Sequence, residues 1–145
     1  MYLIDTNVIS EARKRERANP GVVAFLRGAA VRDEAVYLSV VTIGELRRGI
    51  ELIRHRGDEP QATLLERWLG TVLRDYEHQI LAFEAEAAQV WGRIRVPDPE
   101  HELDKQIAAT ALVHDLTVVT RNEQHFRTTT GVRLLNPFST VQRSR

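Results

Sequence analysis

The chain is 145 residues long, carries 20 basic and 20 acidic residues for a net charge of zero, and has no cysteine. That length buries one ordinary core and not two, and the missing cysteine excludes a disulfide framework and a thiolate metal site. A neutral sum neither demands nor forbids a polyanionic partner, yet only Lys14 and Lys105 among the basic residues are lysine, and arginine is the better partner for phosphate.

Residues 2–4, Tyr2-Leu3-Ile4, are predicted to be a short buried strand, ended by Asp5-Thr6-Asn7, types that favour entry into a helix. No basic segment followed by a long apolar stretch occurs there, so neither a signal peptide nor a membrane span is expected, and the chain reads as cytoplasmic. The charged run 13–17 ends the first helix, and Asn19-Pro20 opens a second through Val22, Val23, Phe25 and Leu26. A second strand is expected over 36–39. From about residue 41 a long helix carries Ile43, Leu46, Ile50 and Ile53 on one face and stops before the 56–60 loop.

A fourth helix runs to about residue 76, a brief strand covers 79–81, and a helix over 83–96 is broken by Pro97-Asp98-Pro99. A further helix spans about 103–114, a strand 117–120, a turn or single helical turn 122–126, and a last strand 132–134. Strands alternating with helices predict an α/β fold around a parallel sheet. Residues 1–139 read as one domain and 140–145 as a loose tail.

Three acidic residues stand in otherwise apolar settings: Asp5 after Tyr2-Leu3-Ile4, Glu45 between Ile43 and Leu46, and Asp104 ahead of Ile107, Ala108, Ala111 and Leu112. An ionised carboxylate beside buried apolar surface needs a cation or a proton. Each has an ordinary alternative, a helix cap for Asp5 and Asp104 and a solvated edge for Glu45, with Gly49 leaving Glu45 uncovered. Together they fit a hard-cation site for Mg²⁺ or Mn²⁺ that leaves coordination positions for a phosphate. In open α/β sheets such a site belongs at the carboxyl ends of strands.

The histidines, His55, His78, His101, His114 and His125, lack the paired helical spacing of zinc hydrolases and read as mostly solvated, as does the acidic loop 98–102. No glycine-rich phosphate loop is present, so no nucleotide cofactor is expected. Arg13, Arg15, Arg17, Arg47, Arg48, Arg121 and Arg127 are candidate cations for a nucleic-acid backbone, Arg121 being best placed.

The blocks Leu3-Ile4-Asp5-Thr6-Asn7-Val8-Ile9-Ser10, Ser39-Val40-Val41-Thr42-Ile43-Gly44-Glu45-Leu46, Asp104-x-x-Ile107-Ala108-Ala109-Thr110-Ala111, Val119-Thr120-Arg121-Asn122-x-x-His125-Phe126 and Leu135-Asn136-Pro137-Phe138 resemble a PIN-domain ribonuclease, with the order and spacing of VapC-type toxins of the FitB-like branch. The resemblance covers nearly the whole chain. It implies a five-stranded parallel sheet flanked by helices, a Mg²⁺- or Mn²⁺-dependent endoribonuclease, and restraint by a small antitoxin with a DNA-binding domain, in a homodimer or a toxin–antitoxin hetero-oligomer. It places Asp5, Glu45 and Asp104 on the acidic metal-binding positions, with Thr6 and Asn7 orienting the carboxylates. The fourth acidic position departs from the pattern: relatives carry aspartate at the place of Asn122 or of His125, and Glu123 is merely adjacent.

The expected reaction is hydrolysis of an RNA phosphodiester at a metal held by Asp5, Glu45 and Asp104, with splayed single-stranded or loop RNA favoured over duplex. Asn122 is expected either to hold a metal-bound water or to contact substrate, and His125 either to assist the leaving group or to pack, packing being preferred. Two other classes stand behind this reading: a PIN-fold binding module without catalysis, and a phosphatase of the haloacid dehalogenase kind with Asp5 as covalent acceptor. The latter lacks the expected second aspartate and later lysine.

Overall fold

The structure is a computed structural model that describes residues 1–139, so the expected loose tail at 140–145 lies outside the described residues. Among them are five strands, β1 (Tyr2–Ile4), β2 (Val36–Ser39), β3 (Ile80–Leu81), β4 (Thr117–Val119) and β5 (Arg133–Leu135). The α-helices are α1 (Thr6–Ala12), α2 (Pro20–Val31), α3 (Val40–His55), α4 (Glu59–Asp75), α5 (Ala85–Ile94) and α6 (Glu102–His114). The strands form one sheet in the order β3-β2-β1-β4-β5, and every pairing is parallel. The expected α/β fold with a five-stranded parallel sheet is therefore present.

Strand β1 sits at the centre, Leu3 opposite both Tyr37 and Val118, and Ile4 opposite Val119. Because side chains alternate across a strand, Leu3 and Val118 enter one core while Ile4 and Val119 enter the other. The core of Ile4 and Val119 packs β1 and β2 on α1 to α4 through Val8, Val22, Leu46, Ile50, Leu69 and Val72; that of Leu3 and Val118 packs on α6 through Ile107, Ala108 and Ala111. With both faces covered, central strands read as continuous apolar runs, which explains why these short segments were legible.

The chain leaves β1 toward β2 and β3, then returns across β1 to β4 and β5. The reversal puts a switch point between β1 and β4, where neighbouring loops part and a crevice opens at the carboxyl ends.

Several ends differ from expectation by a residue or two, and two differences matter. The last strand is Arg133–Leu135, a residue later than predicted, because Leu135 carbonyl accepts from Thr120 N. Helix α6 is led in by His101, in a left-handed backbone conformation with φ 55°, so Asp104 is the third helical residue and not the cap.

The loop before α6 is held from beneath. Lys105 is 1 % exposed, its Nζ bonds the Asp98 carbonyl, and the Asp98 carboxylate lies 3.5 Å away. Loop 98–102 is at the surface as expected, with Pro99, Glu100, His101 and Glu102 exposed, and is fastened to α6 at Asp98. At the other end of the chain, Asn19 Oδ1 accepts from Gly21 N and Ser139 N while its Nδ2 donates to the Ser139 carbonyl.

Candidate metal centre

Asp5 follows β1 at the switch point, and its backbone N–H still pairs with the Val119 carbonyl. Its carboxylate is buried, and both oxygens accept hydrogen bonds. Oδ1 accepts from Thr6 N at 2.8 Å, the helix cap expected from sequence, while Oδ2 accepts from Thr120 Oγ1 at 2.8 Å and Asn7 Nδ2 at 3.1 Å. Capping and site membership are thus not alternatives for this residue. Burial pushes its pKa up, the nearby Asp104 charge adds to that, and the bonds from Thr120, Thr6 and Asn7 offset part of it.

Glu45 sits in the second turn of α3, half-buried, with Oε1 accepting from Thr6 Oγ1 at 3.0 Å. Thr6 Oγ1 also lies 3.3 Å from Thr42 Oγ1 on the same helix, and Thr42 is fully buried. Burial raises the Glu45 pKa, and the charges of Asp5 and Asp104 raise it further. Beyond Glu45, a Cβ added at Gly49 would meet nothing within 4 Å.

Asp104 reaches the crevice from the first turn of α6. Its Oδ2 lies 2.7 Å from His125 Nδ1. The charge of Asp104 bears on both Asp5 and Glu45, and that of Asp5 on Glu45, so three acidic residues far apart in sequence meet in one neighbourhood. His125 does more than pack, and the preference for packing is corrected by that contact. His101 stacks on His125 with ring centroids 4.1 Å apart and planes 17° apart, so His101 is not merely solvated either. The ligand atoms of His101, Asp104 and His125 all lie within 4.8 Å of one another.

Asn122 stands differently. Its side chain is exposed and unbonded among the described residues, while its backbone N–H donates to Thr120 Oγ1. That hydroxyl therefore joins the loop after β4 to Asp5. Asn7 Oδ1 makes a second tie by accepting from Arg121 N at 3.0 Å. Arg121, Asn122, Glu123, Gln124, His125 and Arg127 line a pocket of about 210 Å³, joined to Asp104 through His125. Arg47, by contrast, is engaged by Glu51 and Glu66.

A second groove of about 230 Å³ starts at Thr6 and Glu45 and runs over Leu46, Ile50, Ile53, Leu65 and Trp68, with Arg13 at its rim. Sequence reading missed Thr42, Thr120 and His101. For His101 a signal was present, since it precedes Asp104 by one helical turn; Thr42 and Thr120 become visible only once β1 lies between β2 and β4.

Do these residues suit a hard divalent ion? Asp5, Glu45 and Asp104 are oxygen donors; burial first and neighbouring carboxylate charge second raise the pKa of Asp5 and Glu45, and a bound cation would offset both. The donor chemistry fits.

The comparisons agree with this geometry. The chain is 37 % identical over 143 residues to Toxin FitB of Neisseria gonorrhoeae, spanning 95 % of this chain and 99 % of that protein. It is 32 % identical to Plasmid stability protein StbB of Pseudomonas syringae pv. tomato, over 95 % and 99 % of the two chains. The crystal structure of FitAcB from Neisseria gonorrhoeae superposes with a TM-score of 0.79 at 36 % identity, covering 94 % of this chain and 98 % of that one. The structure of FitAB bound to an IR36 DNA fragment does so with a TM-score of 0.79 at 33 % identity, covering 99 % and 100 %. The PIN domain itself matches residues 2–131, a span that holds β1 to β4 and all six α-helices, so this chain belongs to the PIN-domain family.

Proposed function

We propose that this protein is a divalent-metal-dependent endoribonuclease and the toxin of a toxin–antitoxin pair. The observation that carries the reading is Asp5: a buried carboxylate at the β1 switch point, its pKa raised by burial and by Asp104, held by three hydrogen bonds that fix its direction. Asp5, Glu45 and Asp104 would hold Mg²⁺ or Mn²⁺. The ion would supply Lewis-acid polarisation of a phosphodiester and a more acidic water.

The chain's own residues do the rest. Thr120 and Asn7 lock the Asp5 carboxylate, and Thr6 orients Glu45, so little reorganisation is needed when substrate arrives. Arg121 and Arg127 offer charge to phosphates flanking the scissile bond, and Asn122 in the same pocket contacts the substrate. An open pocket beside a shallow crevice suits a splayed single strand better than a regular duplex.

The groove beside Glu45 supports the antitoxin part of the reading. Its apolar floor and the Arg13 rim suit an antitoxin segment laid across α3 and α4, ending at the carboxylates. Exposed Leu64 and Leu73 on α4 add apolar surface for a homodimer or a hetero-oligomer with an antitoxin that carries a DNA-binding domain. No described helix is long and apolar enough to cross a membrane, which is compatible with a cytoplasmic site of action.

The test is cleavage of cellular RNA by purified protein with Mg²⁺ or Mn²⁺ and with chelator. Metal-dependent cuts that are suppressed by the product of the adjacent gene support the reading. Intact RNA under both metals refutes it.

A further inference from the structure

We propose that His101, Asp104 and His125 form a second ion site, suited to a borderline transition ion such as Zn²⁺ or Co²⁺ and not to Mg²⁺. Two imidazoles and one carboxylate are the donors such ions accept, whereas Mg²⁺ selects oxygen. The site stands where the family pattern has a fourth acidic residue and this chain has none.

The geometry is close to closure. Ligands at about 2.0–2.2 Å from a tetrahedral ion sit roughly 3.3 Å from one another. His125 Nδ1 and Asp104 Oδ2, at 2.7 Å, need to part slightly, and the full group already lies within 4.8 Å. The imidazole lone pairs lie in the ring planes, so two stacked, nearly parallel rings do not aim at one point. One ring has to turn. His101 is exposed and makes no hydrogen bond through its ring among the described residues, so it can turn without breaking a bonded partner.

The supporting frame is fixed. Lys105, buried beneath the loop, fastens Asp98 to α6 and so limits the travel of His101. Phe126, 1 % exposed, sets the backbone next to His125 in the core beneath α6. Three protein ligands leave a fourth position open toward the pocket of Arg121 and Arg127, where water or a phosphate oxygen would complete the sphere.

The inference meets the ribonuclease reading only at Asp104, which both sites use. Calorimetric titration of the full chain with Zn²⁺ in millimolar Mg²⁺, repeated with Co²⁺ while recording its visible absorption, tests it. Wild type should take up one Zn²⁺, and bound Co²⁺ should show the intense absorption of a low-coordinate nitrogen-ligated ion. His101→Gln and His125→Gln should each weaken uptake by roughly tenfold or more, since even partners behind a metal ligand cost that much when lost. His78→Gln, at an exposed histidine outside the cluster, should leave Zn²⁺ uptake unchanged. No Zn²⁺ uptake, or uptake indifferent to both histidine changes, overturns the proposal. Histidine-dependent uptake by a protein that never cuts RNA supports this site while refuting the ribonuclease reading; cutting without such uptake does the reverse.

Discussion

Thr120 Oγ1 donates to Asp5 Oδ2 at 2.8 Å across the junction of β1 and β4, and the same oxygen accepts from Asn122 N at 3.0 Å. One hydroxyl thus links the central carboxylate to the loop that carries Asn122 and His125. Thr120→Val keeps the shape and deletes both bonds, leaving a buried carboxylate short of a donor and an amide short of an acceptor. It should cost about 1–3 kcal/mol in urea unfolding and reduce cleavage without changing the helix content seen by circular dichroism. A variant as stable and active as wild type would remove Thr120 from the site.

Asp5→Asn, Glu45→Gln and Asp104→Asn should each abolish metal-dependent cleavage, read on a gel, and relieve growth inhibition in cells. Their stabilities should differ. Asp5 Oδ2 accepts from Asn7 Nδ2 as well as from Thr120, so an amide there sets two NH₂ groups face to face, whereas Glu45 Oε1 accepts from one hydroxyl that can turn. Asp5→Asn should therefore melt below Glu45→Gln. Cleavage surviving in all three would dismiss the site assignment.

The raised pKa values of Asp5 and Glu45 fix the sign of a pH effect. The native state binds more protons than the unfolded chain at and above the ordinary values of 3.8 and 4.5. Stability linked to these groups is therefore present below that range and lost as pH climbs through the raised values. Glu11, Glu34, Glu66 and Asp98, held below their ordinary values, act oppositely on acidification, so a difference measurement is needed. In chelator, the melting temperature of Glu45→Gln relative to wild type should rise from about pH 4 to pH 7. Mg²⁺ should erase much of that gap at pH 7 by stabilising wild type. A gap that is flat with pH would contradict the assigned cause.

His125→Ala should impair metal binding and cleavage more than Asn122→Ala. The imidazole lies on Asp104, and losing a partner of a metal-binding carboxylate costs roughly tenfold or more. The Asn122 side chain has no bonded partner among the described residues, so Asn122→Ala should shift stability by less than about 0.5 kcal/mol. The opposite order is what the sequence implies if Asn122 holds a metal-bound water. Metal titration and initial cleavage rates decide between them.

Much of the fold was legible because the strands are buried on both faces and the helices carry apolar stripes, so neither signal required tertiary knowledge. Asp5, Glu45 and Asp104 were legible for a related reason: charge is conspicuous inside apolar runs. Thr120 and Thr42 were not, since a hydroxyl in a strand or helix looks the same whether it bonds a carboxylate or a backbone carbonyl. His101 was hidden by its loop, because the helical spacing that pairs it with Asp104 matters only once α6 is known to begin at Glu102.

Gly21→Ala tests the docking of the last described residues. A Cβ there would meet the Pro137 carbonyl oxygen at 2.0 Å and Ser139 N at 2.7 Å, so the segment has to move. The cost should be roughly 1–3 kcal/mol, with faster proteolysis after residue 136. Unchanged melting and proteolysis would mean that the clasp from Asn19 carries no weight.

The central place of β1 bears on how the protein is made. A nascent chain emerges from the ribosome with Asp5 early and Glu45 soon after, yet β4 and Thr120 come more than a hundred residues behind. Until then β1 has a neighbour on one side and Asp5 lacks the hydroxyl that fixes it. Contacts so distant in sequence close late. A truncated translation product ending before β4 therefore carries all three carboxylates but neither the completed sheet centre nor the hydroxyl of Thr120, and a cell making this protein meets an assembled site only when synthesis is nearly complete.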